Sequence, residues 1–209
     1  MLNKNKNQAV VFDFDGVLVD TFDLNLKVMQ KFIEASSDDL KNLHNGNVHE
    51  RSSLDFTGEL GDDFFRLQKE NFKEEFFYPV VQSVRFLAEE FRLFINSSSS
   101  EDNILDFLRM VKLDDAFEQI LGFETAESKI KKFQYIFKNY QLEPANCVFV
   151  TDTLGDLMEG NRAGVKNLAV SWGYHQSDRL RMGNPLKIIN QPDDLIPAIK
   201  ELLELKEKE

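Results

Sequence analysis

A chain of 209 residues, 42% of them hydrophobic and 29% charged, suffices for one sizeable core, or for one core with a small inserted module. Its formal net charge of -11 argues against nucleic acid or an anionic membrane as the principal partner, and no apolar run reaches membrane-spanning length. A single cysteine, Cys147, permits no intrachain disulfide, and the polar start Met1–Gln8 has no signal-peptide apolar region, so the expected location is cytoplasmic.

Strand-like apolar runs alternate with amphipathic helical patterns along the chain. Val10–Phe14 reads as a first strand. From Thr21 to Phe77 no strand pattern appears. Phe22, Leu26, Met29, Phe32 and Ile33 are spaced for one helix face, and Leu60, Phe64, Leu67 and Phe72 for another. Between them the polar stretch Ser36–Ser53, with Asn45-Gly46-Asn47, is loop or turn chemistry. This region reads as a helical insertion whose phenylalanine-rich faces make its own core rather than a ligand box. Alternation then resumes: helix Val80–Glu90, strand Leu93–Asn96, helix Asn103–Val111, a weaker strand Gln119–Phe123, helix Lys129–Tyr140, strand Cys147–Thr151, helix Leu154–Ala163, strand Asn167–Ser171 and a short strand Lys187–Asn190. A last helix runs from about Asp193 to Leu205, opened by Pro192 and acidic residues. The pattern implies an α/β fold with a mostly parallel sheet and helices on both faces. The 19 phenylalanines point to aromatic-rich packing.

In open α/β sheets ligands bind at the carboxyl ends of the strands, so the polar residues after each strand can be compared. Strand one runs into Asp13-Phe14-Asp15-Gly16. Residues i and i+2 of an extended strand share a side, and two carboxylates there repel unless a cation or a shared proton intervenes. The same pair also fits a solvated acidic turn. Strand two ends in Ser97–Ser100, where the strand-end position ranks Ser97 ahead of Ser98. Strand four ends in Thr151-Asp152-Thr153-Leu154-Gly155-Asp156, and Asp156 also suits a helix's first turn. Lys129 opens the helix after strand three and ranks ahead of Lys131 and Lys132, which otherwise line a solvated helix face. His44, His49 and His175 read as surface histidines with no metal-ligand spacing. Trp172 and Tyr174 follow strand five on the same rim and either border the site or simply pack.

Taken in order, these segments resemble the haloacid dehalogenase superfamily, in its phosphoglycolate-phosphatase-like and β-phosphoglucomutase-like branch. Val11-Phe12-Asp13-Phe14-Asp15-Gly16-Val17-Leu18 is similar to the first motif, Leu93-Phe94-Ile95-Asn96-Ser97 to the second, Lys129 to the third, and Val148-Phe149-Val150-Thr151-Asp152-Thr153-Leu154-Gly155-Asp156 to the fourth. The resemblance implies a Rossmann-like core at residues 1–20 and 80–209, with a small helical cap at residues 21–79. It implies a Mg²⁺-dependent phosphatase of a small phosphorylated metabolite; the sequence leaves monomer and homodimer both open. Asp13 would be the nucleophile that becomes an aspartyl-phosphate, and Asp15 the acid and base. Mg²⁺ would lie between Asp13, the Asp15 backbone carbonyl and Asp152, with Asp156 a further ligand, direct or through water. Ser97 (or Ser98) and Lys129 would hold the phosphoryl oxygens.

Several positions depart from the family pattern. Thr151 stands where glycine usually precedes the metal-binding Asp, and could crowd the metal loop. Ile130 follows Lys129 in place of proline, and Val80 replaces a frequent glycine. Asn25 occupies the place of a mutase histidine, which favours phosphatase over phosphosugar mutase. Asp15 argues against a dehalogenase and against a non-enzymatic phospho-acceptor, since neither needs an acid beside the nucleophile.

Overall fold

The computed structural model describes residues 7–47, 59–126 and 128–204. Six strands form one all-parallel sheet: β1 (Ala9–Phe12), β2 (Arg92–Asn96), β3 (Gln119–Leu121), β4 (Cys147–Thr151), β5 (Lys166–Val170) and β6 (Lys187–Ile189), in the order β3-β2-β1-β4-β5-β6. All six expected strands exist; β4 keeps its expected bounds, and the others shift at one or both ends by at most two residues. The instructive shift is at β1, which stops at Phe12 rather than Phe14. The Phe14 carbonyl instead accepts the amides of Val17, Leu18 and Val19, folding Asp15 into a tight turn.

Side-chain alternation sorts the layers. Val10 and Phe12 face one core with α4 (Val81–Glu90), α5 (Glu101–Met110) and α9 (Leu195–Glu204), while Ala9 and Val11 face a second core with α6 (Lys129–Tyr140). The remaining helices between strands are α7 (Leu154–Ala163), after β4, and the short α8 (Ser177–Arg181), which sequence periodicity missed at only five residues. The last helix starts later than expected, because Pro192–Asp194 form a separate 3₁₀ turn; its anticipated end at Leu205 lies outside the described residues. No helix among the described residues is long and apolar enough to cross a membrane.

Between β1 and α4 lie α1 (Phe22–Met29), α2 (Ser37–Leu43) and α3 (Glu59–Asn71). Helix α2 corrects the loop reading of Ser36–Ser53. Ser36 and Asp39 close a reciprocal capping box that nucleates a helix inside a polar run, where apolar periodicity is too weak to show it. The rest of that stretch, from Val48, lies outside the described residues, as do His49 and Arg51. The chain leaves and returns side by side: Asp20 donates to Phe76 (2.7 Å) and Tyr78 to Leu18 (3.0 Å). The insertion does not keep a core of its own. Leu24, Val28, Leu40, Phe64 and Phe72 belong to the same apolar cluster as β1 and α5. Phe72 stacks on Phe107 with ring centroids 3.6 Å apart, and Phe107 in turn stacks on Phe14.

Because Phe107 is buried and joins the insertion, α5 and the β1 turn, Phe107→Ala should lower the unfolding free energy by about 3–5 kcal/mol. Urea denaturation measures this, and a loss below about 1 kcal/mol would show that the stack is dispensable.

Candidate active site

Register assembles the site. Strand β1 lies between β2 and β4, with Phe12 opposite Ile95 and Val150, so Asp13, Ser97 and Asp152 emerge together at the carboxyl edge. The Asp13 amide still donates to the Val150 carbonyl (2.9 Å), which pins the residue after its strand has ended. Gly16, at φ +74°, makes the following turn possible; a Cβ there would sit 1.9 Å from Asp152 Oδ2.

Lys129 Nζ lies 2.9 Å from Asp13 Oδ1 and 2.9 Å from Asp156 Oδ2, and it donates to the Asn96 carbonyl at 2.9 Å. All three charged groups are buried. Burial opposes the charge of Lys129, but Asp13 and Asp156 outweigh it and raise the ammonium pKa above its ordinary value. Burial likewise opposes ionisation of Asp156, yet Lys129, together with hydrogen bonds from Asp13, Lys129 and Thr151, holds its carboxyl down at about 2. Asp13 goes the other way. Burial, opposed by Lys129 and reinforced by the charges of Asp156 and Asp152, raises it well above the usual carboxylate range. Asp152 is fully buried and pushed up to about 8, mainly by burial, despite the Tyr174 amide that donates to its Oδ2 at 2.7 Å. Its other oxygen, Oδ1, is buried without a partner.

Three buried carboxylates against the Lys129 ammonium leave the site short of positive charge. An orphaned carboxylate oxygen on Asp152 and an Asp13 carboxyl whose ionisation is disfavoured by burial and by neighbouring carboxylates both suit a bound cation. Among the described residues no three acidic, histidine or cysteine side chains stand close enough to cage a metal unaided. Mg²⁺ keeps several waters and takes only one or two carboxylates, and Asp13 and Asp152 are the two that would face such an ion.

Asp15 departs from the i, i+2 expectation, because the strand ends before it. Its Oδ1 accepts from Thr21 Oγ1 (2.5 Å) and Asn25 Nδ2 (3.3 Å), and its Oδ2 from Ser99 Oγ (2.5 Å). Ser97 is buried with Oγ accepting from the Ser99 amide (3.1 Å), whereas Ser98 and Ser99 line a cavity beside Asp15. Ser99 and Thr21 were not singled out from sequence; Ser99 was hidden in a run of identical residues, and Thr21 carried no motif.

Three expectations are corrected. Lys132 does not line a solvated face: it is fully buried, donates to the Ser97 carbonyl, and burial lowers its pKa to about 7. His175 is buried; its Nδ1 accepts from the Leu154 amide (3.0 Å) and its Nε2 faces the Lys41 carbonyl (2.8 Å). Thr151 does not crowd the loop but donates to Asp156 Oδ2 at 2.9 Å. Glu159, also missed, takes the Lys129 amide and the Ser128 hydroxyl on Oε1 and so sets the start of α6. Of the aromatics after β5, Tyr174 lines the cavity, and Trp172 donates to the Val17 carbonyl (3.3 Å).

The family described as haloacid dehalogenase-like hydrolase matches residues 10–170. A phosphoglycolate phosphatase of Synechococcus elongatus is 24% identical over 94% of this chain and 99% of its own length. Pyrophosphatase PpaX of Bacillus mycoides is 22% identical over 94% and 99%. A solved haloacid dehalogenase-like hydrolase from Streptococcus pneumoniae superposes with a TM-score of 0.75 at 18% identity, covering 92% of this chain and 98% of that one, which is a likeness of fold.

Removing Lys129 should expose how much of the site rests on it. Lys129→Met is expected to cost about 3 kcal/mol at pH 7, since it strands two buried carboxylates. The sign follows from Asp156. A carboxyl held at about 2 in the fold contributes stability that is present above the unfolded value of 3.8 and is lost as pH falls towards 2. The gap between wild type and variant should therefore narrow between pH 4 and 2 in denaturant titrations, and a pH-independent gap would contradict the triad.

Proposed function

The chain belongs to the haloacid dehalogenase-like hydrolase family, and from that membership we propose a Mg²⁺-dependent phosphatase of a small phosphorylated metabolite, working through an aspartyl-phosphate on Asp13. The observation that carries this reading is the excess of buried carboxylate, Asp13, Asp152 and Asp156 against Lys129, at the carboxyl edge of the sheet. Relatives named for a phosphatase and a pyrophosphatase support the same class of chemistry. Asp13, Asp152 and the Asp15 backbone carbonyl would hold the cation, with Asp156 a ligand directly or through water. When bound, Mg²⁺ supplies the positive charge that lets Asp13 lose its proton and that offsets the phosphoryl oxygens.

In this reading an Asp13 carboxylate oxygen attacks phosphorus as the bond to the leaving oxygen breaks, and Asp15 gives that oxygen its proton. Asp15 then takes a proton from water, which attacks the phosphorus of the aspartyl-phosphate and restores Asp13. Thr21, Asn25 and Ser99 hold the Asp15 carboxyl in one orientation between the two steps. Lys129 and the hydroxyl of Ser97 or Ser98 would hold the phosphoryl oxygens; Ser97 Oγ already accepts from Ser99, so its own proton is left to donate. Residues 21–79 would act as a cap that excludes bulk water.

With p-nitrophenyl phosphate and Mg²⁺, the protein should turn over, and Asp13→Asn should lower kcat by more than about a thousandfold. Persistent phospho-Asp13 without turnover would mean a phospho-acceptor, and isomerisation of a sugar phosphate without free phosphate a mutase. Metal should also act through protonation. A carboxyl raised in the fold, as Asp152 is to about 8, contributes stability below its unfolded pKa and loses it as pH rises through 8. Mg²⁺ should therefore raise Tm more at pH 8.5 than at pH 6, and Asp152→Asn should shrink the difference. An equal Tm gain at both pH values would count against Asp152 as a ligand.

A further inference from the structure

Beside Asp15, Ser98 and Ser99 the protein holds a cavity of about 70 Å³. Its wall is hydrocarbon from all three helices of the insertion: Met29 ends α1, Leu40 and Leu43 lie on α2, and Phe64 and Phe65 lie on α3. These side chains are braced from behind. Met29, Leu40 and Phe64 are buried in the main core, and the Phe65 ring rests on Phe64 (5.8 Å between centroids) and Phe123 (5.7 Å). The amide on the wall is already spent within the protein. Asn25 Nδ2 donates to Tyr174 OH (2.8 Å) and to Asp15, and its Oδ1 accepts from Gln68 (2.9 Å). Three of its four hydrogen-bonding positions are thereby engaged.

The leaving oxygen must come within reach of Asp15 to be protonated, so the body of the alcohol behind it falls into this cavity. Resting on the phosphatase reading above, we infer that the substrate is the monophosphate of an apolar alcohol, whose hydrocarbon packs on Met29, Leu43, Phe64 and Phe65. A carboxylate or second phosphate on the leaving group would lie mostly on hydrocarbon and against the Asp15 carboxyl, losing hydration that the polar groups of Ser98, Ser99 and His44 replace only in part. Among the described lining residues His44 alone can take a positive charge, and its ring packs edge-on against Tyr174.

Pairs of esters matched in carbon count test this with Mg²⁺ present: ethyl phosphate against phosphoglycolate, and propyl phosphate against glycerol 3-phosphate, with pyrophosphate alongside. The alkyl esters should show kcat/KM at least about tenfold higher than their polar counterparts. Leu43→Asn, at a half-buried position, should lower kcat/KM for propyl phosphate several-fold and draw its ratio to glycerol 3-phosphate towards one. Phosphoglycolate, glycerol 3-phosphate or pyrophosphate matching the alkyl esters, in an Asp13-dependent reaction, overturns the inference and leaves the phosphatase reading intact. Turnover of p-nitrophenyl phosphate with none of the panel overturns the inference as well. Turnover of no phosphate ester at all, p-nitrophenyl phosphate included, overturns the phosphatase reading itself.

Discussion

The ion triad of Lys129 with Asp13 and Asp156 is the constraint on which the rest of the structure depends. A lone ammonium at this depth would cost several kcal/mol, so α6 must begin where the end of β1 and the first turn of α7 bring carboxylates within 3 Å of it. That position is over-determined. Asn96 receives Lys129 Nζ on its carbonyl and donates its side-chain amide to the Lys129 carbonyl (3.1 Å), while Glu159 takes the Lys129 amide. One ammonium cannot neutralise Asp13, Asp152 and Asp156, and the protein resolves the imbalance unevenly. Asp156 stays ionised next to Lys129 and Thr151, whereas Asp13 and Asp152 are driven towards their protonated forms.

Two polar tethers are among those that tie the insertion to this charged edge. From Asp15 a chain of side chains runs through Asn25 on α1 and Gln68 on α3 to Asn103 on α5, the last link at 3.3 Å. At the other side His175 bridges the first turn of α7 to the Lys41 carbonyl at the end of α2. Because Nδ1 accepts an amide proton, the ring's proton is assigned to Nε2, and burial, which lowers the pKa to about 4, keeps the ring neutral. Both tethers end on residues next to the carboxylates. Any movement of the insertion must exchange these hydrogen bonds for water, at about 1 kcal/mol net for each neutral one.

Much of this was legible in the sequence, and for identifiable reasons. Parallel strands buried on both faces read as short apolar runs, and the polar residues ending them could be located before the sheet order was known. What escaped was whatever depends on direction rather than spacing. The turn that begins at Phe14 separates Asp15 from Asp13, although an extended reading puts them on one side. Within Ser97–Ser100, identical residues point to different partners: Ser97 to the Ser99 amide, Ser99 to Asp15, Ser100 to Glu124. Helix α2 is built by a capping box, not an apolar stripe. The phenylalanines of the insertion read as a local core, but Phe72 and Phe107 merge it with the main one.

The departure from the family pattern at Thr151 is compensated locally. Thr151 brings a hydroxyl where glycine would leave none, and that hydroxyl is absorbed by Asp156 and by the Thr153 amide (3.4 Å), so the added bulk also supplies a hydrogen bond to the ionised carboxylate. Lys132, which is no departure from that pattern, poses a more demanding problem of charge. It lies one helical turn from Lys129, equally buried, yet its amine reaches the Ser97 carbonyl rather than a carboxylate. A carbonyl dipole stabilises an ammonium less than a carboxylate does, and Lys129 repels it, so burial prevails and the pKa falls to about 7. Two lysines on one helix face thus diverge: Lys129 is held charged by its ion pairs, and Lys132 anchors the serine run at the edge of losing its charge.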